Sequence, residues 1–173
     1  MKKILFLTFI LWSMRVSAQT FTVKSDDLGG QFTQTFIAAN MGCSGNNQSP
    51  ELHWTNAPDG TKSFAVTMYD PDAPTGSGFW HWVVVDIPVT ASQLKRGMIP
   101  PGSLTSANDT GAPGYQGPCP PEGDAPHRYI ITVYALNTEK LGTTAKATAA
   151  LTGFLLNKAA IAKASLIVYS KRS

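Results

Sequence analysis

The chain has 173 residues, of which 43% are hydrophobic and 10% aromatic, with 14 Lys and Arg against 11 Asp and Glu. That is enough for one ordinary domain with a sizeable core, and its apolar content excludes a disordered chain. Only 14% of the residues are charged, which argues against a coiled coil or a polyanion-binding tail, while 12 Pro and 15 Gly predict many turns.

Met1 to Ala18 reads as a secretory signal peptide: Lys2 and Lys3, an apolar run from Ile4 to Trp12, then Val16, Ser17 and Ala18 as a small-residue cleavage site. The run is too short to span a bilayer comfortably, so no stable membrane insertion is expected. Arg15 in the cleavage region favours the competing reading, a buried N-terminal strand or an uncleaved anchor. No Cys follows the run, so a lipoprotein anchor is not indicated. Residues 1–18 hold three of the bases and no acids, which leaves residues 19–173, read as a single domain, with 11 of each sign. A neutral domain has no general attraction for nucleic acid or anionic lipid, so any anion must be held by a local site. The expected location is periplasmic or secreted.

Phe21 to Val23 and Phe32 to Ile37 read as short β segments. Cys43 and Cys119, both in Gly/Pro/Asn-rich stretches, are the two cysteines. In an oxidising compartment they are expected to form a disulfide between two loops; two free thiols are the alternative, and their spacing makes zinc improbable. Phe64 to Tyr69 is the clearest early strand, His81 to Ile87 a nearly continuous apolar one, and Arg128 to Leu136 a third. Strands so apolar on both faces predict two packed sheets. Leu94 to Pro121, rich in Gly, Pro, Ser and Asn, predicts a long functional loop. Ala145 to Lys163 predicts an amphipathic helix, and Leu166 to Tyr169 a last short strand.

Polar groups gather at three strand ends. Asp70-Pro71-Asp72-Ala73-Pro74 holds two carboxylates on a backbone stiffened by proline, either as turn-forming caps or as a preorganised acceptor site. His81 opens a strand between Trp80 and Trp82; a period of two puts it on the face of Val83 and Val85, with both tryptophans opposite. A lone His on an apolar strand is more often a core residue than a catalyst. The run Pro120 to Tyr129 brings His127 and Tyr129 to one strand face and Arg128 to the other. His, Tyr and free backbone N–H groups suit phosphate or carboxylate.

Asp70 to Pro74, then Gly78-Phe79-Trp80-His81-Trp82, then Pro120-Pro121-Glu122-Gly123 with His127-Arg128-Tyr129, together resemble the signature regions of the phosphatidylethanolamine-binding protein family, also called Raf kinase inhibitor proteins, and especially its exported bacterial members. The resemblance spans essentially residues 20 to 170. It implies a mostly β protein, a two-sheet β-sandwich with flanking helices and a small anion pocket at one end. By matching motif, that pocket would be formed by Asp70, His81, His127 and Tyr129, with Asp72, Pro74 and Pro120 on the rim and Arg128 structural. The expected function is non-enzymatic binding of a small anion such as phosphate or phosphoethanolamine, without cofactor or metal. Histidines near their ordinary pKa would bind it more tightly in acid. A module inhibiting a protease or a kinase pathway through a protein partner is the alternative. No nucleophile stands out for an enzyme: Ser77 lacks the GxSxG elbow.

Overall fold

The computed structural model describes residues 19–172; the signal peptide reading at 1–18 lies outside them. Two antiparallel sheets pack face to face. The smaller has the order β1-β2-β5, from Thr22–Lys24, Leu52–Thr55 and Gln93–Leu94. The larger has the order β6-β4-β3-β7-β8, from Leu104–Thr105, Phe79–Pro88, Ser63–Asp70, His127–Leu136 and Ala160–Ser170. Between the sheets lies a core that includes Leu52, Trp54, Phe64, Met68, Trp82, Val84, Tyr129 and Ile131. Each large side chain removed from water there contributes about 1.5 to 3 kcal/mol.

The expected two-sheet, mostly β architecture is what forms. The central strands β3, β4 and β7 are apolar on both faces because both are covered. On the outer face of the larger sheet, Ala65, Val83, Val85 and Leu136 pack against Ala149 and Leu156 of α1, Ala149–Ala159. This is the one α-helix among the described residues, where the family resemblance implied several. Thr148 caps it by accepting from the Leu151 N–H.

Three local readings are corrected. Phe32 to Ile37 is a turn segment whose Phe32 and Phe36 fill the core, rather than a strand. The helix expected to run to Lys163 stops at Ala159, and β8 starts at Ala160, four residues inside the expected helix. Ala and Lys favour helix locally, but pairing with β7 from Leu136 down to His127 overrides that preference. The loop from Leu94 to Pro121 carries the short edge strand β6, paired to β4.

The third correction bears on the site. Tyr69 pairs with Trp80 and Met68 with Trp82, so His81 is an extra residue in β4. Such a bulge turns two successive side chains to one face. Trp82 enters the inter-sheet core and the His81 ring meets Tyr129, edge to face at 5.1 Å between centroids. Trp80 points to the outer face, tilted against Tyr69 at 4.7 Å between centroids. His81 therefore does not share the face of Val83 and Val85, and the two tryptophans do not share a face.

Candidate functional site

At one end of the sandwich, the C-terminal end of β3 and the N-terminal ends of β4 and β7 surround a cavity of about 210 Å³. Its walls are mainly apolar, from Met41, Pro74, Phe79, Pro120 and Pro121, and the Cys119 half of a disulfide to Cys43. The polar side chains on the wall are Asp70, His81, His127 and Tyr129, with Thr75, whose hydroxyl donates to the Gly78 carbonyl.

Asp70 is buried and fully engaged. Its Oδ1 accepts from the backbone N–H groups of Asp72 at 2.8 Å and Ala73 at 3.1 Å, the tight turn that Pro71 and Pro74 stiffen. Its Oδ2 accepts from His127 Nδ1 at 2.8 Å. His127 also gives its other ring N–H to Asp124 Oδ2 at 3.3 Å. A carboxylate can only accept, so both ring nitrogens carry protons and His127 stands as imidazolium. Burial works to lower its pKa, but the bonds and charges of Asp70 and Asp124 outweigh that and raise it.

His81 is in the opposite state. Its Nδ1–H donates to the Gln116 carbonyl at 2.9 Å, which fixes the tautomer and leaves a lone pair on Nε2. Burial lowers its pKa against the weaker opposing pull of the Gln116 carbonyl, Asp70, Asp109 and the Gly117 backbone, so the ring is neutral near pH 7. The Gly117 backbone lies beside the ring as well, the bond from Nδ1 is the ring's one close hydrogen bond among the described residues, and the Nε2 side lines the cavity. Burial, with Asp70 beside it, also raises Tyr129, which stays a phenol. The expectation of two histidine donors near their ordinary pKa is thus corrected: one is held cationic by carboxylates, and the other is held neutral.

Asp72 does not line this cavity. Both its oxygens take Arg128, through Nε at 2.9 Å and Nη2 at 2.7 Å, and Oδ2 also accepts the Arg128 backbone N–H at 2.8 Å. The pair pulls Asp72 down to about 2, the Arg128 hydrogen bonds being the cause. Pro74 and Pro120 do lie on the wall.

Sequence reasoning missed the groups that hold the histidines. Asp124 lies three residues before His127, a spacing that could have exposed it. Gln116 orients His81, and is itself held by a donation from its Nε2 to Asn40 Oδ1 at 2.7 Å. Asn47 takes the Gly117 N–H at 2.7 Å and donates to the Tyr115 carbonyl at 3.1 Å. No local pattern links residues 40 to 47 with 115 to 117, apart from Cys43 inside the first stretch and Cys119 just after the second.

A second polar group, Asp26, Glu51 and His53, sits at β1 and β2, with potential metal-ligating atoms within 4.8 Å of one another. Its His53 Nδ1 is already bonded to Glu51 Oε1 at 2.9 Å, and Glu51 Oε2 to the Asp26 N–H.

A profile of the phosphatidylethanolamine-binding protein family matches residues 24–171. The chain belongs to that family. YbcL of Escherichia coli, one of its relatives of the group named UPF0098, is 45% identical over 167 residues, covering 92% of this chain and 91% of that one. YbhB of the same organism is 44% identical over 150 residues, 82% of this chain and 94% of that one. The crystal structure of YbcL, described as a new member of the mammalian family, superposes with a TM-score of 0.87 at 43% identity, over 90% of this chain and all of that one. The carboxypeptidase Y inhibitor in complex with its cognate proteinase shares the fold, with a TM-score of 0.51 at 19% identity, over 90% of this chain and 84% of that one.

Proposed function

We propose that this member of the phosphatidylethanolamine-binding protein family is an exported, non-enzymatic binder of a small anion of the phosphorylated-headgroup class. The observation that carries the reading is the end cavity, where Asp70, His81, His127 and Tyr129 come together from three strands inside apolar walls. At about 210 Å³ it suits phosphate or phosphoethanolamine and is below the usual range for drug-sized ligands, so an acyl chain would stay outside.

The wall's sulfur and aliphatic hydroxyl are otherwise engaged, which supports binding rather than turnover by either. Cys119 is in the disulfide, and the Thr75 hydroxyl donates to the Gly78 carbonyl. Asp70 and His127 form a buried charge pair whose role is to fix the turn and the strand mouth, and the ligand contacts fall to His81 and Tyr129. Export is supported by the signal-like residues 1–18 and by the disulfide, which persists in an oxidising compartment. Among the described residues no helix is long and apolar enough to cross a membrane. The periplasm or the exterior is the proposed location, and neither a metal nor a cofactor enters the proposed function.

Isothermal titration with phosphate and phosphoethanolamine between pH 5.5 and 7 tests the reading. Binding is expected, weakened at least about tenfold by His81→Ala, the size of one lost buried hydrogen-bond partner. Failure of both ligands to bind, with stoichiometric capture of a protein that survives substitution of all four wall residues, would instead favour the inhibitor role.

A further inference from the structure

The hydrogen bonds around the cavity restrict the form of the ligand as well as its size. The groups facing His81 come from every side: Asp70 at the end of β3, His127 and Tyr129 from β7, Asp109 below Trp80, and the Gln116 carbonyl. Asp70 has no spare oxygen lone pair aimed by a free donor, and both N–H groups of His127 are spent on Asp70 and Asp124. One imidazolium between two carboxylates leaves no surplus positive charge on this wall. What remains for a ligand is the Tyr129 hydroxyl, whose proton leans on Asp70 and whose oxygen can accept, and the Nε2 acceptor of His81.

A fully ionised oxyanion would set its lone pairs against that of His81 Nε2. A ligand that brings its own proton would satisfy it. We propose that the cavity takes its phosphate group in the acid form, a P–OH of the ligand donating to His81 Nε2, and on that ground admits phosphate monoesters and rejects sulfate esters. This rests on the anion-pocket reading above and adds which state of the anion is bound. The proton remains shared between ligand and imidazole, and no bond is made or broken.

The test compares phosphoethanolamine with its sulfate counterpart, ethanolamine O-sulfate, by titration calorimetry on the disulfide-bonded protein. Runs in two buffers of unlike ionisation heat count the protons taken up. A phosphomonoester loses its second proton near pH 6. Its affinity is expected to be level below about pH 6 and to fall about tenfold from pH 6.5 to 7.5, with little proton uptake at pH 5. The sulfate ester, which has no proton to give, is expected to bind at least about tenfold more weakly at pH 5.5. His81→Gln, which offers an N–H at the same wall, should bring the two ligands to within a few-fold of each other while thermal unfolding confirms that the variant folds.

Equal affinities for the two esters, with a whole proton drawn from buffer when the sulfate binds, would make His81 the donor and overturn the proposal while leaving the anion pocket intact. Retention of the phosphate preference in the folded His81→Gln variant would also overturn it. If neither ester nor inorganic phosphate binds at any pH, the anion-pocket reading fails and this inference fails with it.

Discussion

Asp70 shows how one side chain serves both stability and the site. It accepts three hydrogen bonds, two from the turn it heads and one from His127, and is shielded from water on the cavity floor. Removing one member of a buried charge pair leaves the other uncompensated, at a cost of about 3 to 5 kcal/mol. Asp70→Ala is therefore expected to lower unfolding stability by about 3 kcal/mol at pH 5.5. Folding raises the His127 pKa above its ordinary value near 6.5, so its contribution is full below about pH 6.5 and is lost as pH rises through the folded value. Urea denaturation should thus find a smaller gap between the two proteins at pH 9 than at pH 5.5; an equal gap at both would place the loss in the turn alone. Asp70 ends β3 beside Pro71 and His127 opens β7 after Pro126, while His81 and Tyr129 lie two residues inside their strands, and it was the family's motifs that grouped the four in the sequence. Their protonation states were not legible there, because Asp124, Gln116 and Asn40 act on them from segments with no pattern in common.

At the scale of elements, the site depends on two irregularities. The bulge in β4 turns His81 inward, and the segment 115 to 117 then holds it from outside the sheet. Alternation along a strand assumes a constant period, so a single inserted residue reverses the expected face of everything before it. That is why the faces of Trp80 and His81 were misread while those of His127, Arg128 and Tyr129, on unbulged β7, were read correctly. β8 was misread for a different reason: Ala160 to Lys163 is a good helix sequence that becomes a strand by pairing with β7. Gly117 marks how closely the holding segment approaches its neighbour. A Cβ there would lie 2.4 Å from Ala38 N and from Phe36 O, both backbone atoms that cannot move cheaply. Gly117→Ala should cost about 2 to 4 kcal/mol in denaturant unfolding, in the range of overpacked and strained sites, and should loosen ligand binding through His81. Unchanged stability would mean that the loop from 38 to 47 yields readily.

Over the whole molecule, the charge balance of residues 19–173 and the disulfide belong together. With 11 bases and 11 acids in residues 19–173, the domain has no net field to gather anions, and the wall of the end cavity has no surplus cation either. On the proposed reading, recognition of an anion comes from hydrogen bonds in an apolar enclosure, which select for shape and protonation state rather than for charge. The Cys43 to Cys119 bridge, closing a separation of 76 residues, ties the 40 to 47 loop to the wall that carries Cys119 and Pro120. In the chain-entropy view it contributes at most about 4.5 kcal/mol, and it joins the loop of Asn40 and Asn47 to the segment whose Gln116 carbonyl orients His81. Two packed sheets were visible from the doubly apolar strands, but strand order was not, because it depends on pairings between residues more than fifty positions apart, such as β3 with β7. A crystal structure of the protein soaked in phosphate decides whether the end cavity is an anion site. A phosphate ion is expected there, within hydrogen-bonding distance of His81 Nε2 and the Tyr129 hydroxyl, with the His127 bond to Asp70 retained. An empty cavity at a phosphate concentration that fills other surface sites would contradict it.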